Sequence, residues 1–149
     1  MDMFLGDCAE IEENVARIYR LMAKNEAISD DLRAVLCKMA SDEDKHAEKI
    51  RFALRLQREA LFDRYLLPRQ RVKELLEETD AILARLRSRS FGEQEAIMTM
   101  IRLERDFCQV HVEAIAHFKD PQMLKLFEAL AGDDASHRAT LDAYLVEVN

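Results

Sequence analysis

The stretch Ser41–Ile50, SDEDKHAEKI, carries six charged residues and a histidine. It would pass for the solvated face of a helix, except that Glu43 and His46 fall where the surrounding repeat calls for apolar side chains. That repeat runs Leu32, Leu36, Met39, Glu43, His46, Ile50, Ala53, alternating steps of four and three residues. Such a stripe faces other helices in a packed bundle and is normally apolar throughout. A second stripe, Met123, Phe127, Leu130, Asp134, His137, Leu141, Tyr144, is interrupted in the same way, by an acid and, three residues on, a histidine.

Two further stripes each carry one carboxylate. One is Cys8, Glu12, Val15, Tyr19, Met22; the other is Ile97, Ile101, Glu104, Cys108, His111, Ile115, Phe118. Glu10, Glu13, Asn14 and Arg17 fall on the opposite face of the first of these helices and read as solvent residues. The spacings repeat as well. Glu12 to Glu43 is 31 residues and Glu104 to Asp134 is 30, while Glu43 to Asp134 and His46 to His137 are both 91. The chain thus carries one helical hairpin pattern twice.

The helix signals bound four long elements. The first is predicted from Leu5 to about Asn25, and the second from a cap at Ser29 to about Ala60. The third is predicted from a capping box at Ser90-Phe91-Gly92-Glu93 to about Phe118. The fourth starts with Asp120 as N-cap and Pro121 at the first helical position. Between the second and third lies Pro68–Arg89, with Val72, Leu75, Leu76, Ile82, Leu83 and Leu86 at helical spacing. At 1.5 Å per residue this segment spans roughly 30 Å, enough to carry the chain back along a bundle. The expectation is an all-α fold in one domain over residues 1–149: a four-helix bundle with a long helical crossover. Gly132, beside Asp134, is a candidate point of helix irregularity.

Composition agrees with that class. Hydrophobic residues make up 49% and charged residues 34%, with three Gly, two Pro and no Trp, the balance of amphipathic helices rather than of a turn-rich sheet protein. The net charge of −7 argues against nonspecific binding to nucleic acid or an anionic membrane. MDMFLGDCAE lacks the basic and apolar regions of a signal peptide, and no apolar run approaches the ~20 residues of a membrane span. The expectation is a soluble, cytoplasmic protein. Three widely spaced cysteines without a CxxC pair support neither a disulfide framework nor a zinc-ribbon or rubredoxin-type site. Were the first and third helices antiparallel, Cys8 and Cys108 would lie at one level beneath the carboxylates, as a redox pair or as small core residues.

An acid and a histidine at i and i+3 share one helix face and can reach one ion. Four carboxylates and two histidines buried together would repel one another, and desolvation would drive the carboxylate pKa values up. Two divalent cations supply the opposing charge. Glu12, Glu43, His46, Glu104, Asp134 and His137 are therefore the candidate metal ligands.

The pattern Glu12…Tyr19, Glu43-x-x-His46, Glu104, Asp134-x-x-His137 resembles the ferritin-like di-iron carboxylate proteins, and in particular the rubrerythrin branch, across nearly the whole chain. AEIEENVARIYRLMA followed by MASDEDKHAEKI carries the resemblance locally. It implies Glu12 and His46 as terminal ligands of one metal, Glu104 and His137 of the other, and Glu43 and Asp134 as bridges. It implies two iron ions (Fe2+/Fe3+), with zinc or manganese accepted by the same donors. Tyr19 becomes the candidate catalytic side chain, its hydroxyl turned toward the cluster.

The implied activity is redox chemistry at a dinuclear iron centre, peroxide reduction or ferroxidase type, with O2 or H2O2 as oxidant. No rubredoxin module is present, so electrons would come from an external donor protein or from the substrate. The alternative is a non-catalytic metal-binding or iron-handling bundle that acts through partners. A homodimer is an expectation for assembly, since a crossover helix can dock on its own bundle or swap between chains.

This sequence departs from the family pattern at three places. Asp134 stands where the family has Glu, which either draws its helix inward, removes a bridge or weakens one site. His111 matches Tyr19 in the second repeat, and three roles are open to it: partner of a ligand, extra ligand, or core residue. Ile101 and Phe107, one turn either side of Glu104, provide no further carboxylate.

Overall fold

The computed structural model describes residues 3–56 and 67–148. These residues form five α-helices and no strand: α1 Met3–Ala23, α2 Asp30–Leu56, α3 Arg69–Ser88, α4 Glu93–Ile115 and α5 Pro121–Val148. The all-α expectation holds, with each predicted element present. The last residues predicted for the second helix, 57–60, lie outside the described residues.

Local chemistry sets most of the ends. Ser29 Oγ accepts from the backbone N–H of Leu32, and Asp120 Oδ1 accepts from the N–H groups of Gln122 and Met123, so both expected caps form. Arg33 locks the turn between α1 and α2 by donating to the carbonyls of Ala23, Asn25 and Ile28; the first of these is the last residue of α1, whose carbonyl has no partner within the helix. The capping box at Ser90 does not form. Helix α4 starts at Glu93 with Gly92 as its N-cap and no side-chain cap bond. A box needs its Glu three residues inside the cap, and here Glu93 is the first helical residue. Its carboxylate turns instead to Ser29, accepting from that hydroxyl at 2.9 Å across to the start of α2.

Packing pairs α1 with α2 and α4 with α5, while α3 lies along α1 and touches α4. The core includes Phe4, Leu5, Ile11, Ile18, Leu32, Leu36, Ile50, Ile97, Val110, Phe127 and Leu141, each almost fully shielded. Each such side chain contributes about 1.5–3 kcal/mol of burial. The crossover helix buries Val72, Leu75, Thr79, Ile82 and Leu83, and the ion pairs Arg71–Asp106 and Arg102–Glu78 tie it to α4.

Docking of α3 corrects one expectation. Asn14 is buried rather than solvent-facing, and its amide donates to Thr79 Oγ1 at 3.1 Å and Asp80 Oδ1 at 3.0 Å. The outer face of α1 is covered because α3 packs on it. Glu10 and Arg17 do face solvent, and Glu13 is half-buried against Arg51. Nor is α5 irregular at Gly132; it runs as continuous α-helix through that residue. No helix among the described residues is long and apolar enough to cross a membrane.

Candidate metal centre

The four interrupted stripes converge. Glu12 is 0% exposed, Glu43 1%, His46 1%, Glu104 3%, Asp134 1% and His137 7%, which excludes a solvated-face reading for all six. One turn of α2 places Glu43 and His46 on the same side, and one turn of α5 does so for Asp134 and His137.

Two groups within the cluster have ligand atoms close enough to hold a metal ion: Glu12, Glu43 and His46, and Glu43, Glu104 and His137. Glu43 belongs to both. Its Oε2 lies 3.0 Å from His46 Nδ1, and its Oε1 lies 2.9 Å from His137 Nδ1. His46 Nδ1 also lies 3.6 Å from Glu12 Oε2, and His137 Nδ1 3.5 Å from Glu104 Oε1. The two imidazoles face each other with ring centres 6.2 Å apart.

Several of these atoms lack hydrogen-bond partners. Both oxygens of Glu12, Glu43 Oε1, His137 Nδ1, His111 Nε2 and Asp134 Oδ1 are buried and unsatisfied. Glu43 Oε1 and His137 Nδ1 are near neighbours, yet the pair is not aligned as a hydrogen bond. A buried polar atom without a partner costs about 1–3 kcal/mol, and more when charged. A cation in each group would satisfy the atoms of Glu12, Glu43 and His137, while His111 Nε2 and Asp134 Oδ1 belong to neither group; the carboxylate and imidazole donors suit a first-row divalent ion.

The far sides of both imidazoles are held crosswise. His46 of α2 places Nε2 3.0 Å from Asp133 Oδ2 of α5, and His137 of α5 places Nε2 3.4 Å from Asp42 Oδ2 of α2. A carboxylate on the outer nitrogen fixes ring orientation and leaves the inner nitrogen as a donor to a metal. Sequence reasoning missed both aspartates. The signal was available, since each duplicated acid-x-x-His is preceded directly by an aspartate, Asp42-Glu43-x-x-His46 and Asp133-Asp134-x-x-His137.

The residues seven positions after Glu12 and Glu104 also cross over. The Tyr19 hydroxyl of α1 donates to Glu104 Oε1 of α4. His111 of α4 places Nε2 3.6 Å from Glu12 Oε1 of α1, and its Nδ1 lies 2.7 Å from Asp134 Oδ2. His111 is fully buried, with Phe107 and Phe127 against its ring. Asp134, expected as a second bridge, falls in neither three-residue group and is instead held by His111.

Electrostatics of the metal-free cluster follow from burial. Burial pushes the Glu12 carboxyl well above its usual range, and Glu43 beside it pushes it further. Glu104 is raised to about 8 by burial and by the charge of Glu43. Asp134 is raised by burial, against the pull of His111. Burial also acts to raise Glu43, but the neighbouring Glu12 carboxyl and the two histidines close to its oxygens outweigh it and carry Glu43 far down. Burial would lower the histidines, yet Glu43 and Asp133 raise His46 to about 9, and Glu104 and Glu43 raise His137 to about 10. Without metal, the cluster compensates its charge with protons.

No protein-family model, curated protein or solved structure matches the chain.

Proposed function

We propose that the protein binds two iron ions, one in the group Glu12–Glu43–His46 and one in Glu43–Glu104–His137, within a ferritin-like bundle of the rubrerythrin type. The observation that carries this reading is the division of Glu43, whose two oxygens face different histidines in two adjoining ligand groups. Bound iron would supply electrons and Lewis acidity for the reduction of O2 or H2O2. The chain's own residues orient and exclude: Asp42 and Asp133 fix the imidazoles, the apolar core keeps bulk water out, and the Tyr19 hydroxyl donates to Glu104 at the edge of the cluster. Peroxide reduction consumes two electrons and two protons per H2O2 to give two waters. The electrons would come from an external donor protein in the cytoplasm or, in a ferroxidase, from Fe2+ itself.

A second reading, metal storage or a structural zinc or manganese pair acting through partners, is favoured by the near-complete burial of the ligands. Anaerobic loading with Fe2+ followed by exposure to H2O2 or O2 separates the two. Fast oxidation with a diferric charge-transfer band is expected for the redox reading. Tight Fe2+ binding without that oxidation would leave only the binding role.

A further inference from the structure

Ligands this deeply buried raise the question of how an ion reaches them. Among the described residues, a cleft of about 280 Å3 between α4 and α5 is lined by Cys108, Asp134, Ala135, Arg138, Ala139 and Asp142. Asp134 therefore belongs both to this opening and to the buried cluster. The larger grooves around Arg85–Met98–Arg102 and around Phe52–Leu56–Met123 are lined by none of the six candidate ligands.

The chemistry of the cleft suits a cation in transit. Asp134 is held through Oδ2 by His111, while its Oδ1 is buried without a partner. Cys108 is half-buried beside it, its thiol donating weakly to the Ala131 carbonyl at 3.5 Å. Its sulfur lies close enough to Asp134 and Glu104 to feel both charges. A carboxylate oxygen followed by a soft sulfur offers a divalent transition-metal ion replacement ligands as it sheds water. Of the arginines at the rim, Arg138 faces Asp142 at 3.6 Å, which offsets its repulsion of a cation, and Arg105 turns to Asp106 at 2.9 Å, an acid it shares with Arg71.

We propose that this α4/α5 cleft, with Asp134 at its floor and Cys108 at its side, is the port through which a divalent transition-metal ion enters and leaves the buried cluster. The inference rests on the metal-centre reading above and adds the route to it.

A port has a kinetic signature that a ligand lacks: obstruction slows entry and exit alike and leaves the equilibrium unchanged. Ala135 and Ala139 are exposed helix positions, so A135F and A139F can narrow the cleft without entering the core. The full-length protein is stripped of metal and mixed with Co2+, whose visible bands report binding, then chased with EDTA. Association and dissociation should both slow by about tenfold or more, about 1.4 kcal/mol on each barrier, with Kd unchanged. T99F, in the separate groove that Thr99 lines, should change neither rate. In a C37S background, alkylation of Cys108 by N-ethylmaleimide should reproduce the slowing, since Cys8 is fully buried. Unchanged rates in both cleft variants, or weaker affinity at an unchanged association rate, would overturn the port while leaving the metal centre intact. Failure of the unmodified protein to bind Co2+ would overturn the metal centre itself and the port with it.

Discussion

Glu43 belongs to both candidate ligand groups, whereas Glu12 and Glu104 belong to one each. That asymmetry gives a stoichiometric prediction: E43Q should abolish binding of both ions, while E12Q should leave the Glu43–Glu104–His137 group able to hold one. Elemental analysis after loading and gel filtration would decide it, and two ions retained by E43Q would remove the bridge. The crossed aspartates yield a paired prediction. D133N should weaken the ion at His46, and D42N the ion at His137, each by about 10–100-fold in affinity, because each releases the ring that its own carboxylate orients. Competitive titration against a chromophoric chelator would resolve the two sites. Equal weakening of both sites by either variant would contradict the crosswise pairing. The acids and imidazoles were legible in the sequence because they interrupt apolar stripes. Asp42 and Asp133 were legible only through their repetition ahead of each acid-x-x-His, because one residue before a stripe position lies off the stripe, where a single aspartate looks like any solvent residue. His111 kept three open roles in the sequence, and its contact with Asp134 became visible only when α4 and α5 were placed side by side.

Among the elements, helix existence was readable from periodicity, and two N-caps from residue type alone. The ends that failed did so for reasons of register. Ser90 and Glu93 have box spacing, but the helix starts too late for Ser90 to reach its first N–H groups. D120A should accordingly destabilise the protein by about 1 kcal/mol, and S90A should be nearly neutral, in urea unfolding followed by circular dichroism. Asn14 shows a second limit. A helix stripe tells which face meets the main core, but not which outer face a crossover helix will cover. With its amide bonded to Thr79 and Asp80 of α3, N14A should cost about 1–3 kcal/mol, where a solvent asparagine would cost almost nothing. A neutral N14A would mean that α3 does not dock on α1 as described.

For the molecule as a whole, the cluster sets how stability depends on pH and on metal. Without metal, His46 (about 9), His137 (about 10) and Glu104 (about 8) all hold protons more tightly in the folded state than in the unfolded chain. The native state then binds more protons than the unfolded state, so stability falls as pH rises. The loss starts near the unfolded value of each group, about 4.5 for Glu104 and about 6.5 for the histidines, and is complete once pH passes the folded value. Glu43 and Asp42 are shifted the other way, and their contributions are lost only in acid, below the window in question. Bound cations would reverse the balance, because they would replace the protons that alkali removes and bind more tightly as the ligands deprotonate. Saturation at about 100 times Kd adds about 2.7 kcal/mol. For a chain of this size that raises Tm by roughly 5–10 °C. Melting curves of chelated and metal-loaded protein between about pH 6 and 9 should therefore diverge, the chelated Tm falling and the gap widening. A chelated protein that grows more stable across this range, or one whose Tm ignores metal throughout, would show that the buried acids and imidazoles are satisfied by something other than cations.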